Sequence, residues 1–271
     1  MKIRTAVIGA NGFLGSCIVK NLLKENYEVL GVYNNKQDNL TDNCINIPIV
    51  DFLSAKHSVD NIIFAAGNFK LTAKQNNDLN FNVLYKITNL YPDCRFIYVS
   101  SANVYGQTRE VRTESSPYDN PNLYGLANIS GEFIASSIKN HAVVRPVYLY
   151  GPNLNNNSFL PKIIGQAKEG AIKLLGQGLR RQDYLHVNDA AKLCIKAMQN
   201  GNRKVFLGAT CNSIANKEIA NVIRKYILCE IQYLNKDEHA SSLYYDSSWT
   251  QKELNWEPQI SLEEGIKEMF S

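Results

Sequence analysis

A glycine triplet, Gly9-x-x-Gly12-x-x-Gly15 in the run GANGFLG, separates an apolar stretch ending at Ile8 from an amphipathic one beginning near Phe13. Nothing else in the sequence constrains the fold as strongly. Glycines allow a tight turn and close backbone approach, and the helix start that follows offers free N–H groups and a positive dipole end. That chemistry holds a pyrophosphate, so Gly9, Asn11, Gly12, Phe13, Leu14 and Gly15 form a candidate dinucleotide loop. The strand before it and the helix after it are what distinguish such a loop from an ordinary glycine turn.

The alternation continues along the chain. Apolar runs of strand length (TAVIGA, EVLGVY, NIIFAAG, RFIYVSS, AVVRPVYLYG) are interleaved with helix-length stretches at 13–25, 78–90 and 123–138. Short apolar strands separated by helices imply βαβ units and a parallel sheet covered on both faces. The expected fold class is therefore α/β, a doubly wound parallel (Rossmann) sheet with a smaller C-terminal α/β lobe. After Gly151-Pro152 the pattern gives way to an Asn-rich loop (NLNNNS), a helix near 159–170, and short strands around 172–175 and 183–187. Helices near 189–199, 216–227 and 262–269 follow. Residues 1–151 are expected to form the main part of the dinucleotide-binding domain. Residues 152–271 are mostly a substrate-binding lobe, with 183–208 returning to the main sheet.

Composition excludes several classes. At 45% hydrophobic and 20% charged residues the 271-residue chain is an ordinary globular protein with no apolar run of membrane-span length. A formal charge of +4 is scattered, and no basic block exceeds Arg180-Arg181, which argues against a nucleic-acid surface and for a small anionic ligand. Six cysteines show no CxxC or metal spacing, so no metal site is expected and the thiols should be free and mostly buried. MKIRTAVIGA runs into an apolar strand with no signal-peptide pattern, so a cytoplasmic protein is expected.

A dinucleotide site usually has an acid at the end of the second strand for the ribose hydroxyls. VLGVYNNKQ offers Asn34 and Lys36 instead, and Lys36 suits a 2′-phosphate, tilting the cofactor towards NADP over NAD. Asp51, after the third strand, is either an adenine contact or a helix cap.

Seven fragments in order, GANGFLG, IIFAAG, IYVSSANVYG, YGLAN, VVRPVYLYGPN, QDYLHVNDAA and ELNWEPQISLEEGI, resemble the extended short-chain dehydrogenase/reductases. The resemblance is closest to the NAD-dependent epimerase/dehydratase group that acts on nucleotide sugars. It implies an NAD- or NADP-dependent enzyme in which Phe52, Ala65, Ala66, Gly67, Ser100, Pro146 and Val147 join the cofactor site. Ser101 corresponds to the hydroxyl that contacts the reacting sugar oxygen, and Tyr124 to the general acid/base of the YxxxK motif. The motif's lysine, one helical turn on, is Asn128 here.

An amide can still hold the nicotinamide ribose, but it carries no charge to lower a phenol pKa of about 10. Ketone reduction uses the tyrosine protonated and tolerates this change better than oxidation does. The dehydratases' acidic pair is replaced by Ala102 and Asn103, which argues against sugar dehydration. On the substrate side Asn103 and Tyr148 are candidates, and Arg180 and Arg181 stand near Gln182, which occupies the place of a family arginine. A second family arginine corresponds to Leu243. His186 reads as a packed histidine, and Trp249 and Trp256 as C-terminal core.

The expected function is 4-ketoreduction of a nucleotide-linked 4-keto-6-deoxy sugar in surface-polysaccharide synthesis. The alternatives are a nucleotide-sugar epimerase, and a family member that binds dinucleotide without turnover as a partner protein. The resemblance also implies a homodimer built on the Tyr124 helix and the helix near 78–90.

Overall fold

The computed structural model describes residues 2–34, 37–67, 71–108, 110–154, 156–236, 238 and 240–270. The first half of the chain runs β1 (Arg4–Ile8), α1 (Phe13–Lys24), β2 (Glu28–Tyr33), β3 (Ile45–Pro48), α2 (Ile49–Ser54), β4 (Asn61–Phe64) and α3 (Ala73–Asn77). A π-helical segment (Asp78–Val83) then leads into α4 (Leu84–Leu90), β5 (Arg95–Val99), a 3-10 turn (Ala102–Tyr105), α5 (Leu123–Ala135) and β6 (His141–Pro146). The remainder is β7 (Tyr148–Tyr150), α6 (Phe159–Lys168), β8 (Ala171–Leu175), β9 (Arg181–Gln182), β10 (Tyr184–His186) and α7 (Val187–Asn200). It closes with β11 (Val205–Gly208), β12 (Ile214–Ala215), α8 (Asn216–Arg224), β13 (Glu230–Leu234), α9 (Ser248–Leu254) and α10 (Leu262–Glu268).

Seven strands form one sheet in the order β11-β6-β5-β4-β1-β2-β3, every neighbouring pair parallel. Their carboxyl ends therefore share one edge, and the strand order reverses at β1, where Ile8 pairs with Val32 on one side and Phe64 on the other. A crevice opens at such a reversal, and open α/β sheets bind ligands there.

Side chains alternate between the two faces. Ala6 and Ile8 pack with Ile62, Phe64, Phe96 and Tyr98 in one buried cluster, whereas Val7, Ile63 and Ile97 pack with Ile18, Leu22 and Leu193 of α1 and α7 in another. A third cluster joins Leu160, Ile163, Ile172, Leu174, Ile219, Ile223 and Ile266, closing α6, α8 and α10 over the parallel pair β8-β13.

The expected strands and helices of the sheet are present, and the differences have physical causes. The helix expected over residues 78–90 begins as a π-helix, whose wider turn arises where one extra residue is accommodated. The third strand expected ahead of Asp51 is β3, INIP, which pairs along β2 from Leu30 to Tyr33. Trp249, expected in the core, is 42% exposed and stacks on Phe206 with centroids 5.7 Å apart, while Trp256 is 6% exposed. All six cysteines are free, but only Cys194 and Cys229 are buried, and Cys211 is exposed. Among the described residues no helix is long and apolar enough to cross a membrane, and no group of three metal-ligating side chains occurs.

Candidate active site

The glycine loop is shaped by three distinct steric demands. Gly9 has φ +88°, and a Cβ there would stand 2.9 Å from Ala66 Cα, so only glycine lets β1 and the β4 loop meet. A Cβ on Gly15 would overlap the Gly9 carbonyl, so the third glycine seats α1 on the turn. Gly12 caps α1 with no side-chain hydrogen bond and no acid in the first turn, leaving the helix start open to an anion. Leu14 is buried in the core and so offers backbone rather than side chain, whereas Phe13 is half-buried. Asn11 is half-buried, and its carbonyl accepts from Asn39 Nδ2 at 3.3 Å.

The other candidate cofactor residues line the same sheet edge. Asn34 is exposed just beyond β2, and Lys36 lies outside the described residues. Asp51 is exposed in the first turn of α2. Phe52 is fully buried between His57 and Tyr91, with centroids 5.4 and 5.0 Å away, so any contact with a cofactor falls to its backbone. Ala65, Ala66 and Gly67 follow β4, Ser100 follows β5, and Pro146 and Val147 end β6, where Val147 N–H donates to Gly208 O.

Ser101 and Tyr124 come from different elements. Ser101 caps the 3-10 turn after β5, and its Oγ accepts from Asn103 N at 3.2 Å and Asn103 Nδ2 at 2.9 Å. With both acceptor positions used, the hydroxyl hydrogen remains to be donated elsewhere. Asn103 was expected at the substrate; the structure places its amide on Ser101. Tyr124 lies in the first turn of α5, opened by Asn122, whose Oδ1 accepts from Gly125 N at 2.9 Å. Burial raises the Tyr124 phenol above its ordinary value of 10, and the neighbouring Asn128 and Ser101 side chains only partly oppose it. Asn128, 3% exposed, donates through Nδ2 to the Tyr124 carbonyl at 2.8 Å, and its Oδ1 lies 3.5 Å from Tyr98 Oη.

Beneath this pair lies a buried ion pair absent from the sequence reading. Glu132, two turns beyond Tyr124, accepts from Arg145 Nε at 2.8 Å and Nη2 at 2.6 Å, from Ser100 Oγ at 2.5 Å and from Tyr118 Oη at 3.0 Å. Arg145 also lies over the rings of Tyr105 and Tyr118. This network ties β5, α5 and β6 together directly behind Ser101. The loop joining the 3-10 turn to α5 is pinched at its base: Gly106, φ +68°, bridges Asp119, and Gln107 N–H donates to Asp119 O at 2.8 Å. A Cβ on Gly106 would overlap the Asp119 carbonyl.

On the substrate side Tyr148 is 36% exposed beyond β6, its ring 6.0 Å from that of Tyr184. Arg180 and Arg181 differ. Arg181 donates to Ser213 O at 2.7 Å and pairs with Glu218 at 3.3 Å, whereas Arg180 Nε donates to Ser241 O at 3.2 Å and meets no carboxylate within ion-pair distance among the described residues. Gln182 is buried against Tyr184 Oη. Asp183, fully buried, accepts from Thr210 N and Oγ. His186 caps α7, its Nδ1 accepting from Asn188 N at 3.2 Å, and burial lowers its pKa despite Glu268 nearby.

Residues 5–208 match the family described as the NAD dependent epimerase/dehydratase family. A UDP-glucuronate 4-epimerase of Thermodesulfobacterium geofontis is 26% identical over 96% of this chain and 93% of that protein. Among solved structures, a UDP-glucose 4-epimerase from Thermotoga maritima with UDP-glucose superposes with a TM-score of 0.86 at 21% identity, over 98% of this chain and 97% of that one. A dTDP-glucose 4,6-dehydratase from Bacillus anthracis with NAD gives 0.85 at 22%, over 98% and 95%. With its glycine loop, its parallel sheet and its Ser-Tyr pair over residues that the match spans, the chain belongs to the NAD dependent epimerase/dehydratase family.

Proposed function

We propose that the protein is an NAD(P)-dependent oxidoreductase acting on a nucleotide-linked sugar, reducing a 4-keto-6-deoxy sugar in the cytoplasm during surface-polysaccharide synthesis. The residues present fit a dinucleotide: the uncapped start of α1 suits a pyrophosphate, and the missing Cβ of Gly9 opens the approach to Ala66. When bound, the nicotinamide supplies the hydride. With no acid at Asn34, NADP is favoured over NAD.

One observation carries the direction of reaction. Burial holds the Tyr124 phenol above its ordinary pKa and the side chain one turn on is a neutral amide, so at neutral pH Tyr124 is protonated. A protonated phenol donates to the oxygen of a ketone being reduced; as a base for alcohol oxidation it is poorly poised. Ser101, its Oγ lone pairs engaged by Asn103, directs its hydrogen at the same oxygen. Asn128 holds the ribose, and Tyr148 and Arg180 meet the sugar and its diphosphate, with Arg181 neutralised by Glu218. The split into a sheet domain through residue 151 and a substrate lobe after it belongs to this reading.

The names of the relatives favour a second reading, nucleotide-sugar epimerisation. A panel assay separates them: NADPH consumption with UDP- and dTDP-4-keto-6-deoxyhexoses, beside product analysis with UDP-glucose and UDP-glucuronate. Oxidation of NADPH by a 4-keto sugar supports reduction. Cofactor binding without any oxidation, or conversion of UDP-glucose alone, overturns it.

The expected homodimer has a candidate face. Phe81, Tyr85, Leu123, Leu126 and Phe133, on the π-helical segment, α4 and α5, are between 49% and 68% exposed. Contiguous apolar exposure of this kind suits an interface.

A further inference from the structure

The start of α7 is held by a side chain that a single proton can disable. His186 ends β10 and caps the helix, its Nδ1 accepting from Asn188 N at 3.2 Å. A backbone N–H can only donate, so Nδ1 carries no hydrogen and the neutral ring bears its hydrogen on Nε2. Nε2 lies 3.3 Å from Glu268 Oε2 on α10, in space that a Cβ on Gly151 would invade at 2.9 Å. The ring is 3% exposed and stands edge-on to Tyr150, with centroids 5.3 Å apart.

The residue whose N–H it accepts reaches another helix. Asn188 Oδ1 accepts from Asn21 Nδ2 of α1 at 2.9 Å and lies 3.7 Å from Cys17 Sγ. α1 opens at the glycine loop, while β10 pairs with β7, Tyr184 beside Tyr148 and His186 beside Tyr150. One imidazole therefore stands where the C-terminal helix, the strand of Tyr148 and the helix of the glycine loop are tied together.

We propose that His186 is a proton-sensitive joint: neutral, it caps α7 and steadies Asn188 against α1; protonated, it presents an N–H to the Asn188 N–H and releases both. Two donors facing each other make no hydrogen bond. The charges around the ring are divided. Glu268 on α10 and Asp189 on α7 favour the imidazolium, Lys192 on α7 opposes it, and burial outweighs the two acids, so the folded ring stays neutral to a lower pH than an ordinary histidine. Tyr150, which also faces Glu264, and Cys17 are both held protonated by burial. The stability tied to this joint is whole above about pH 6.5, and it falls below that as the unfolded chain takes up the proton first.

The test is nuclear magnetic resonance of protein labelled with 15N in histidine and asparagine. The His186 signals are identified by their loss in His186→Asn or, should that variant not fold, by ring contacts to Tyr150; the Asn21 amide is identified by its loss in Asn21→Asp. At about pH 8, above the ordinary imidazole value, Nε2 should carry the hydrogen and Nδ1 should be bare. On acidification both nitrogens should move to the imidazolium position with a midpoint below about 6.5, and the Asn21 amide should move with the same midpoint. In His186→Asn, whose new side chain caps without titrating, the Asn21 amide should stay fixed over that range. The folding constant of the wild type, relative to this variant, should fall up to about tenfold for each pH unit between 6.5 and the folded midpoint. A hydrogen on Nδ1 at about pH 8, or a midpoint at or above about 6.5, overturns the proposal. So does an Asn21 amide that stays still while His186 titrates, or one that moves equally in His186→Asn. None of these signals needs cofactor, substrate or turnover, so the joint is tested apart from the proposed reaction.

Discussion

Replacing Glu132 by glutamine tests the buried network beneath the site most directly. The carboxylate receives four donors, from Ser100, Tyr118 and two nitrogens of Arg145, and the paired side chains are 5% and 7% exposed. Glutamine keeps the shape but turns one acceptor into an NH2 group. That group would face Arg145 Nη2 and Tyr118 Oη, and the guanidinium would lose its compensating charge. Breaking a buried pair from one side costs about 3–5 kcal/mol. At roughly 2–4 °C per kcal/mol for a chain of this size, a cost of about 4 kcal/mol lowers Tm by about 8–16 °C. Removing both charges, in Glu132→Leu with Arg145→Met, leaves no orphaned ion and should cost about 2 kcal/mol or less. Urea unfolding at 25 °C followed by circular dichroism measures all the variants. A single-variant cost below about 1 kcal/mol, or a double variant matching the sum of its singles, would refute the reasoning.

Four further outcomes are expected. Tyr124→Phe should lower reductase turnover about 10²–10⁴-fold while the NADPH dissociation constant, read by fluorescence, stays within about twofold. Because burial raises the Tyr124 pKa and keeps its proton in place, the alkaline loss of wild-type reduction from this group should fall at a higher pH than an ordinary phenol would give. In Asn128→Lys, an ammonium about 5 Å from the phenol, at an effective dielectric of about 20, should move that loss down by about 2 pH units, seen in the pH profile of NADPH consumption. Phe133→Glu, at 68% exposure on α5, should give a monomer by light scattering if the apolar face is an interface.

Much of this was legible in the sequence because local geometry forced it. Gly9 and Gly15 announce a tight turn since any side chain there collides with backbone, and the i, i+4 spacing of Tyr124 and Asn128 is a property of one helix. What stayed hidden lies between segments. Asn80 and Tyr98 are 18 residues apart and Tyr98 and Asn128 are 30, and only the sheet and the π turn bring them together. Glu132 and Arg145 each read as ordinary charges until α5 packs on β6 and buries both. Trp249 misled because apolarity signals burial, whereas its indole lies over Phe206 at the sheet edge with Lys204 Nζ 5.4 Å from its ring centroid.

The bridge between Gly106 and Asp119 has a consequence for how this scaffold can be altered. Because the two ends of that loop are stapled to each other, and its later part is held separately by Arg112 at Tyr244 O, Glu114 at Thr250 and Tyr118 at Glu132, it is the exposed tip at Glu110 and Val111 that can be lengthened without pulling on Ser101 before it or Tyr124 after it. The entropy of closing a loop grows only slowly with its length, by about 0.6 kcal/mol for each doubling. A peptide or small domain grafted into the tip is therefore a tolerated cargo, carried beside the catalytic pair without disturbing it.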